Sequence, residues 1–115
     1  MPSDETTALW NTFQRVPLMR NIMVANGDRR KKIWLTESGA PTGSDTGAVT
    51  EQQQADQIVD GIAMSRGWYW VGGWFLYGGR DRGTDPTDRE QMFGVVKYDW
   101  TPKIALSAVT AALTG

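Results

Sequence analysis

The sequence contains no cysteine and no histidine. Without histidine there is no Ser–His or Cys–His catalytic pair and no His-ligated zinc. Without cysteine there is no thiolate nucleophile, iron–sulfur cluster or disulfide. The missing cysteines leave the redox compartment open, because secreted bacterial proteins often lack them too. Acid–base chemistry therefore falls to Asp, Glu, Lys or Tyr.

Two further features are scarce. No apolar run approaches the roughly 18 residues of a membrane span, so no membrane partner is expected. Charge of either sign is not in excess: 12 Lys and Arg face 13 Asp and Glu, for a net charge of −1. That balance argues against a nucleic-acid partner. The one basic run, Arg29-Arg30-Lys31-Lys32, reads as a solvated loop. The opening residues Met1-Pro2-Ser3-Asp4-Glu5 do not read as a signal peptide. The 115 residues are enough for one ordinary domain, 1–115, but less than half of the roughly 250 that a complete (β/α)₈ barrel uses.

Helical and extended patterns alternate along the chain. Thr6 or Thr7 caps a first helix carrying Leu9, Trp10 and Phe13. Pro17 interrupts it and restarts a helix through Leu18, Met19, Ile22 and Met23, which stops at Asn26-Gly27-Asp28. Ile33-Trp34-Leu35-Thr36 is a short apolar run that suits a strand buried on both faces. Thr50-Glu51-Gln52-Gln53 is a capping box. The helix behind it places Ala55, Ile58, Val59, Ile62 and Ala63 on one face and ends near Gly67. A second, aromatic-rich strand runs from Trp68 to Tyr77, with Gly72-Gly73 marking a bulge or close backbone approach. Gly78 to Gln91 is a long charged loop, a type that is often functional. Phe93-Gly94-Val95-Val96 adds an apolar segment. Thr101-Pro102 starts the last helix, whose stripe is Ala105, Leu106, Val109, Ala112 and Leu113.

This order implies an α/β fold with parallel strands. Two parallel strands make a poor sheet by themselves, so the pattern calls for more strands than these residues supply. Six tryptophans are an unusual load for so short a chain. Their flat faces suit a sugar-binding cleft as well as a packed core.

The most informative position is Glu37, a charge at the point where an apolar strand runs out into loop residues. In βα barrels that edge lines the active site. The plainer role for Glu37 is to cap the next helix or pair with an arginine. Ile33-Trp34-Leu35-Thr36-Glu37-Ser38-Gly39 resembles the seventh-strand motif of retaining clan-A glycoside hydrolases, with Ser38 where an aromatic residue is common. Gly73 to Tyr77 with Arg80-Asp81 is similar to the eighth strand and its loop in cellulase-like and family-39-like members. Asp85 to Glu90, Phe93-Gly94-Val95, Asp99 and Thr101-Pro102-Lys103 resemble the segment that closes such barrels, with Ile104 in place of a proline.

The resemblance implies the C-terminal part of a TIM (β/α)₈ barrel, from the sixth helix to the eighth, and hence an incomplete barrel. It implies a retaining glycosidase with Glu37 as nucleophile, a carbohydrate substrate, no cofactor and no metal, and secretion as one possible localisation. The acid/base glutamate of that clan lies on a fourth strand and has no counterpart in this chain. Retaining enzymes hold their two carboxyl groups roughly 5–5.5 Å apart, and the nucleophile stays ionised through hydrogen bonds or a nearby cation, for which Arg80 or Arg82 are candidates. Tyr77 or Trp74 offers a ring to a sugar, and Asp81 a carboxylate to a sugar hydroxyl. The plainer reading of Asp81 is a salt bridge to Arg80, Arg82 or Arg89, and that of Glu90 is structural. Trp34 and Phe75 are expected in the core. Asp81, Asp85 and Asp88 do not match an EF-hand, and the glycine pairs lack the P-loop lysine.

Two readings follow. The first is a glycosidase inactive without its missing barrel portion. The second is a non-catalytic carbohydrate-binding or self-assembling half-barrel unit, gaining strand neighbours from copies of itself or from a complementary chain.

Overall fold

The computed structural model of the protein describes residues 12–114. The elements are α1 (Thr12–Ala25), β1 (Ile33–Ser38), α2 (Glu51–Gly67), β2 (Val71–Leu76), a short 3₁₀ helix (Arg89–Gln91) and α3 (Ile104–Thr114). β1 and β2 pair in parallel, joined by α2 as a crossover, the arrangement parallel strands require. The expected caps at Thr6 or Thr7, with Leu9 and Trp10, lie outside the described residues. No helix among the described residues is long and apolar enough to cross a membrane.

The core lies on one side of the sheet. Ala55, Ile58 and Ile62 of α2 meet Ala105 and Val109 of α3 and Val95, with Trp74 and Leu76 of β2 packed against them. The capping box forms as expected: Thr50 accepts from Gln53 N, and the Gln53 side chain accepts from Thr50 N. Gln54 is buried although it is polar. Its amide nitrogen donates to the carbonyls of Ala40 and Gly94, each at 3.0 Å, so it ties both post-strand loops to α2. Ala63 and Leu113, expected inside, are exposed.

The structure departs from the pattern at four places. Pro17 does not break the first helix but sits within continuous α1; its missing N–H removes one backbone bond near the start of the helix. The second strand begins at Val71 rather than Trp68, because Trp68 to Trp70 form a turn closed by Val71 N to Trp68 O at 3.0 Å. The last helix begins at Ile104, not at Thr101-Pro102. Pro102 bridges Val96 instead, and the Glu51 carboxylate accepts from Ile104 N at 3.1 Å, giving α3 an N-terminal anion where its dipole favours one.

The fourth departure concerns burial. β1 is covered on one face only. Trp34 and Phe75, expected in the core, are 58% and 50% exposed. They stack on the open face with ring centroids 6.3 Å apart. The indole of Trp34 lies against Gly72 and Gly73, where any Cβ would strike it. The two glycines thus permit a close approach of ring to backbone.

Polar contacts fix the loops. Arg20 of α1 is buried and donates to the carbonyls of Arg29 (2.7 Å) and Lys31 (2.9 Å). Lys103 is 2% and Asp81 4% exposed at the side chain, with Nζ and Oδ1 2.8 Å apart. Lys103 also donates to Thr42 Oγ1 (2.9 Å) and Met92 O (3.1 Å), so all three ammonium protons have acceptors. Asp81 Oδ1 takes a further bond from Gly94 N at 2.8 Å. The turn after Val96 closes with Lys97 N to Thr101 O at 2.8 Å and holds Trp100 at φ 71. That left-handed conformation costs a non-glycine residue roughly 1–2 kcal/mol.

Two predictions follow from these contacts. Lys103→Met leaves a buried carboxylate unpaired and is expected to lower stability by about 3–5 kcal/mol. Asp81→Leu combined with Lys103→Met should cost clearly less than either change alone, read by urea unfolding. The second concerns acid. Thr87 donates its hydroxyl and N–H to Asp85, and Thr101 does the same for Asp99. These bonds hold both carboxyls below the usual carboxylate range. Their stabilisation is complete above the unfolded value of about 3.9 and disappears as pH falls through the lowered folded values. Asn at both positions should make the acid limb of a stability-versus-pH curve shallower below about pH 4.

Candidate active-site cleft at the carboxyl end of the sheet

Glu37 is the fifth residue of the six-residue β1. Strict alternation from Leu35, whose partner Trp74 packs on the helices, would send residue 37 to the covered face. The pairing changes that. Leu35 pairs with Trp74 and Ser38 with Leu76, so β1 takes three steps where β2 takes two. The extra residue leaves consecutive Thr36 and Glu37 both exposed. Such offsets are frequent beside active sites, where they re-aim a side chain. Pairing resumes beyond them, with Tyr77 N donating to Ser38 O at 2.8 Å.

Glu37, Gly39, Tyr77, Glu90 and Phe93 line one open cleft of about 210 Å³. The Tyr77 ring meets Phe93 edge-on, centroids 5.0 Å apart, and its hydroxyl donates to Glu90 Oε2 at 3.3 Å. Glu90 comes from the 3₁₀ helix, which Asp88 caps through Glu90 N at 3.1 Å. That short helix is tied to the post-β1 loop by Arg89 and Asp45 at 3.1 Å. The cleft thus presents two carboxylates, a phenol and an aromatic wall, with no Lys or Arg among the residues that line it. These groups can accept bonds from hydroxyls, exchange protons and offer a carboxylate nucleophile.

Of the sequence candidates, the structure brings Glu37 and Tyr77 together and separates the others. Trp74 packs toward α2 and α3 and borders a different cavity with Trp68 and Tyr69. Among the described residues its buried indole N–H meets no acceptor. Strand alternation explains this placement, since Trp74 faces away from the open side carrying Phe75. Asp81 is also outside the cleft. Its partner is Lys103, not one of the three nearby arginines, and burial at 4% leaves it to serve the fold. Arg80 donates to Tyr98 O (2.8 Å through Nε) and stacks on the rings of Tyr98 and Trp100, so it does not face Glu37. Glu90 is the cleft residue that sequence reasoning set aside. The signal for it was weak, because a loop separates it from both strands. Among the described residues no cluster of three or more Asp or Glu is arranged to hold a metal ion.

The arrangement is that of a small α/β piece with two parallel strands, and its structural neighbours are TIM-barrel glycosidases. No protein-family model matches the chain, and no curated protein matches it either. Among solved structures it is similar to a family 39 glycoside hydrolase from the gut symbiont Bacteroides cellulosilyticus WH2. Identity there is 28%, covering 72% of this chain and 16% of that one, at a TM-score of 0.60. It is also similar to the Bifidobacterium dentium beta-glucuronidase, at 21% identity over 90% of this chain and 18% of that one, TM-score 0.63. A beta-D-glucuronidase of Dictyoglomus thermophilum gives 18% identity, 94% and 20% coverage, and a TM-score of 0.60. The likeness to the two glucuronidases is one of fold. The chain spans between 16% and 20% of the length of these three proteins.

The Tyr77 ring contributes by packing, and its hydroxyl by a solvent-exposed bond. Tyr77→Phe is therefore expected to change stability by about 1 kcal/mol or less. Tyr77→Ala should cost about 1 kcal/mol more than Tyr77→Phe, through loss of the edge-on contact with Phe93. Thermal melts of the two variants check this order.

Proposed function

We propose that this chain carries the nucleophile of a retaining glycoside hydrolase, Glu37, on the seventh strand of a (β/α)₈ barrel of which it forms the part from the sixth helix to the eighth. The observation that carries the proposal is the exposed Glu37 carboxylate at the carboxyl end of a parallel strand, beside Tyr77 in one cleft. Active sites of this barrel class gather at that end. The glycosidase neighbours support the same reading.

In the proposed reaction Glu37 attacks the anomeric carbon of a polysaccharide or glycoside and forms a glycosyl ester. A second carboxyl group protonates the leaving oxygen and then activates water. In this reading the second group comes from the remainder of the barrel. Tyr77, oriented by Phe93 and Glu90, forms the wall of the sugar subsite. The chain by itself is inactive.

A second reading, a non-catalytic carbohydrate-binding or self-assembling unit, draws on the open face. Among the described residues the sheet has two strands, both of them edges, and the exposed Trp34–Phe75 stack gives a second copy or a complementary chain something to cover. Sedimentation or gel filtration of the purified chain separates the readings: a stable homo-oligomer favours assembly, and a monomer disfavours it.

The decisive experiment uses a completed barrel, with the further strands supplied on the same or an added polypeptide. An activated 2-fluoro glycoside should label Glu37, seen by mass spectrometry. Glu37→Gln should lower turnover by on the order of 10⁴-fold or more, as loss of a covalent nucleophile does. Labelling at another carboxylate, or turnover untouched by Glu37→Gln, would remove the proposal.

A further inference from the structure

Asp85, Asp88 and Glu90 crowd into one short stretch of the loop after β2. Two of the three are spent on the loop itself. Asp85 accepts the N–H and the hydroxyl of Thr87. Asp88 accepts Glu90 N at 3.1 Å on one oxygen and the Gln91 amide at 3.0 Å on the other. Glu90 is used differently. Its carboxylate is exposed, and among the described residues its side-chain partner is the Tyr77 hydroxyl, at 3.3 Å. An ionised carboxylate offers roughly four acceptor positions, so most of its capacity is unspent.

The backbone beneath that carboxylate is fixed. Gln91 Oε1 accepts from Asp85 N at 3.1 Å, and Arg89 holds Asp45 at 3.1 Å. A group held this way is oriented before any ligand arrives. The Tyr77 side chain starts next to the Glu37 strand, where its N–H bonds Ser38 O at 2.8 Å, and it ends at Glu90. In the proposed reaction, a sugar lying on this ring with its anomeric carbon at Glu37 turns its distant hydroxyls toward Glu90.

Charge then decides what fits. Glu37 and Glu90 both line the cleft, and no Lys or Arg lines it. The cations of the neighbouring loops are engaged elsewhere: Arg89 with Asp45, Arg80 with Tyr98 O and two rings, Lys103 with Asp81. Arg82 bonds Gln91 O through its backbone N–H and does not line the cleft. A sugar hydroxyl can donate to Glu90. The carboxylate of a uronic acid brings only acceptors and a second negative charge to the same place, and like charges a few ångströms apart repel even through water.

We propose that Glu90 is a specificity-determining residue: its carboxylate accepts a hydroxyl of a neutral sugar and turns away sugars that carry a carboxylate. The substrate class is then neutral glycosides and not uronides, although glucuronidases share the fold. That the ligand is a sugar rests on the glycosidase reading. Selection by charge does not require Glu37 to be the nucleophile.

The test is an NMR titration of the ¹⁵N-labelled full chain at low ionic strength. The probes are the methyl β-glycosides of glucose, galactose and mannose, each paired with the uronate that differs from it only at C6. At least one neutral glycoside should shift the amides of Glu37, Tyr77, Glu90 and Phe93 in a saturable way, and its uronate partner should bind at least fivefold more weakly. Glu90→Gln keeps the shape and removes the charge, and should narrow that gap at least threefold. Glu90→Lys should reverse it. Added salt should narrow the gap for the parent chain, because it screens exposed charges. A merely structural Glu90 would weaken both members of a pair alike and leave their ratio unmoved. Covalent labelling of Glu37 with an unmoved ratio would sink the role of Glu90 and spare the nucleophile; charge-selective binding with Glu37 unlabelled would do the opposite. The proposal is overturned if no neutral glycoside shifts the cleft, if uronates bind as well as their neutral partners, or if the ratio is the same in both Glu90 variants as in the parent.

Discussion

Removing an ammonium and a carboxylate from water costs several kcal/mol per ion unless close geometry and further hydrogen bonds offset it. Lys103 and Asp81 meet both conditions, and the architecture around them follows from how they do so. The three acceptors of Lys103 come from the loop after β1, the loop after β2 and the segment behind the 3₁₀ helix. Gly94, which donates to the same Asp81 oxygen, has no room for a Cβ against the backbone of Arg80, Asp81 and Val96. Its carbonyl in turn accepts from Gln54 of α2. One ion pair and one glycine thus register both strand ends against both flanking helices. Tyr77 and Glu90 owe their shared position to loops held in this way.

What was legible in the sequence was mostly local or periodic. The capping box at Thr50 spans four residues, and side chains and backbone satisfy each other within it, so the pattern and the structure coincide. The alternation of helices and strands implied parallel pairing, which is what β1 and β2 do. Glu37 stood out because a charge ends an apolar run, and Tyr77 because it ends the aromatic one.

Contacts across long separations were not legible. Asp81 lies among three arginines in sequence but bonds a lysine 22 positions away. Arg20 carries no local sequence signal of burial, yet it closes the basic loop from within by donating to the carbonyls of Arg29 and Lys31. Burial failed where it depends on what lies opposite. Trp34 and Phe75 have the composition of core residues, but the helices cover only the other face of their sheet. The start of α3 was misplaced for a related reason: its first free N–H is satisfied by Glu51, a residue from another helix, so no local cap was needed near Thr101.

The one-residue offset in β1 carries a consequence for how such an edge can change over time. In a pleated strand, the orientation of every side chain is normally tied to that of its neighbours, and a shift in one drags the rest across the sheet. Here the extra residue uncouples the two ends: Leu35 keeps its pairing with Trp74 and Ser38 its pairing with Leu76, while Thr36 and Glu37 between them are both exposed. Insertions and deletions at Thr36 are therefore a lever by which the chain can turn its terminal carboxylate toward or away from solvent while leaving its interior untouched. Gain and loss of chemistry at this mouth need not pass through an unfolded ancestor.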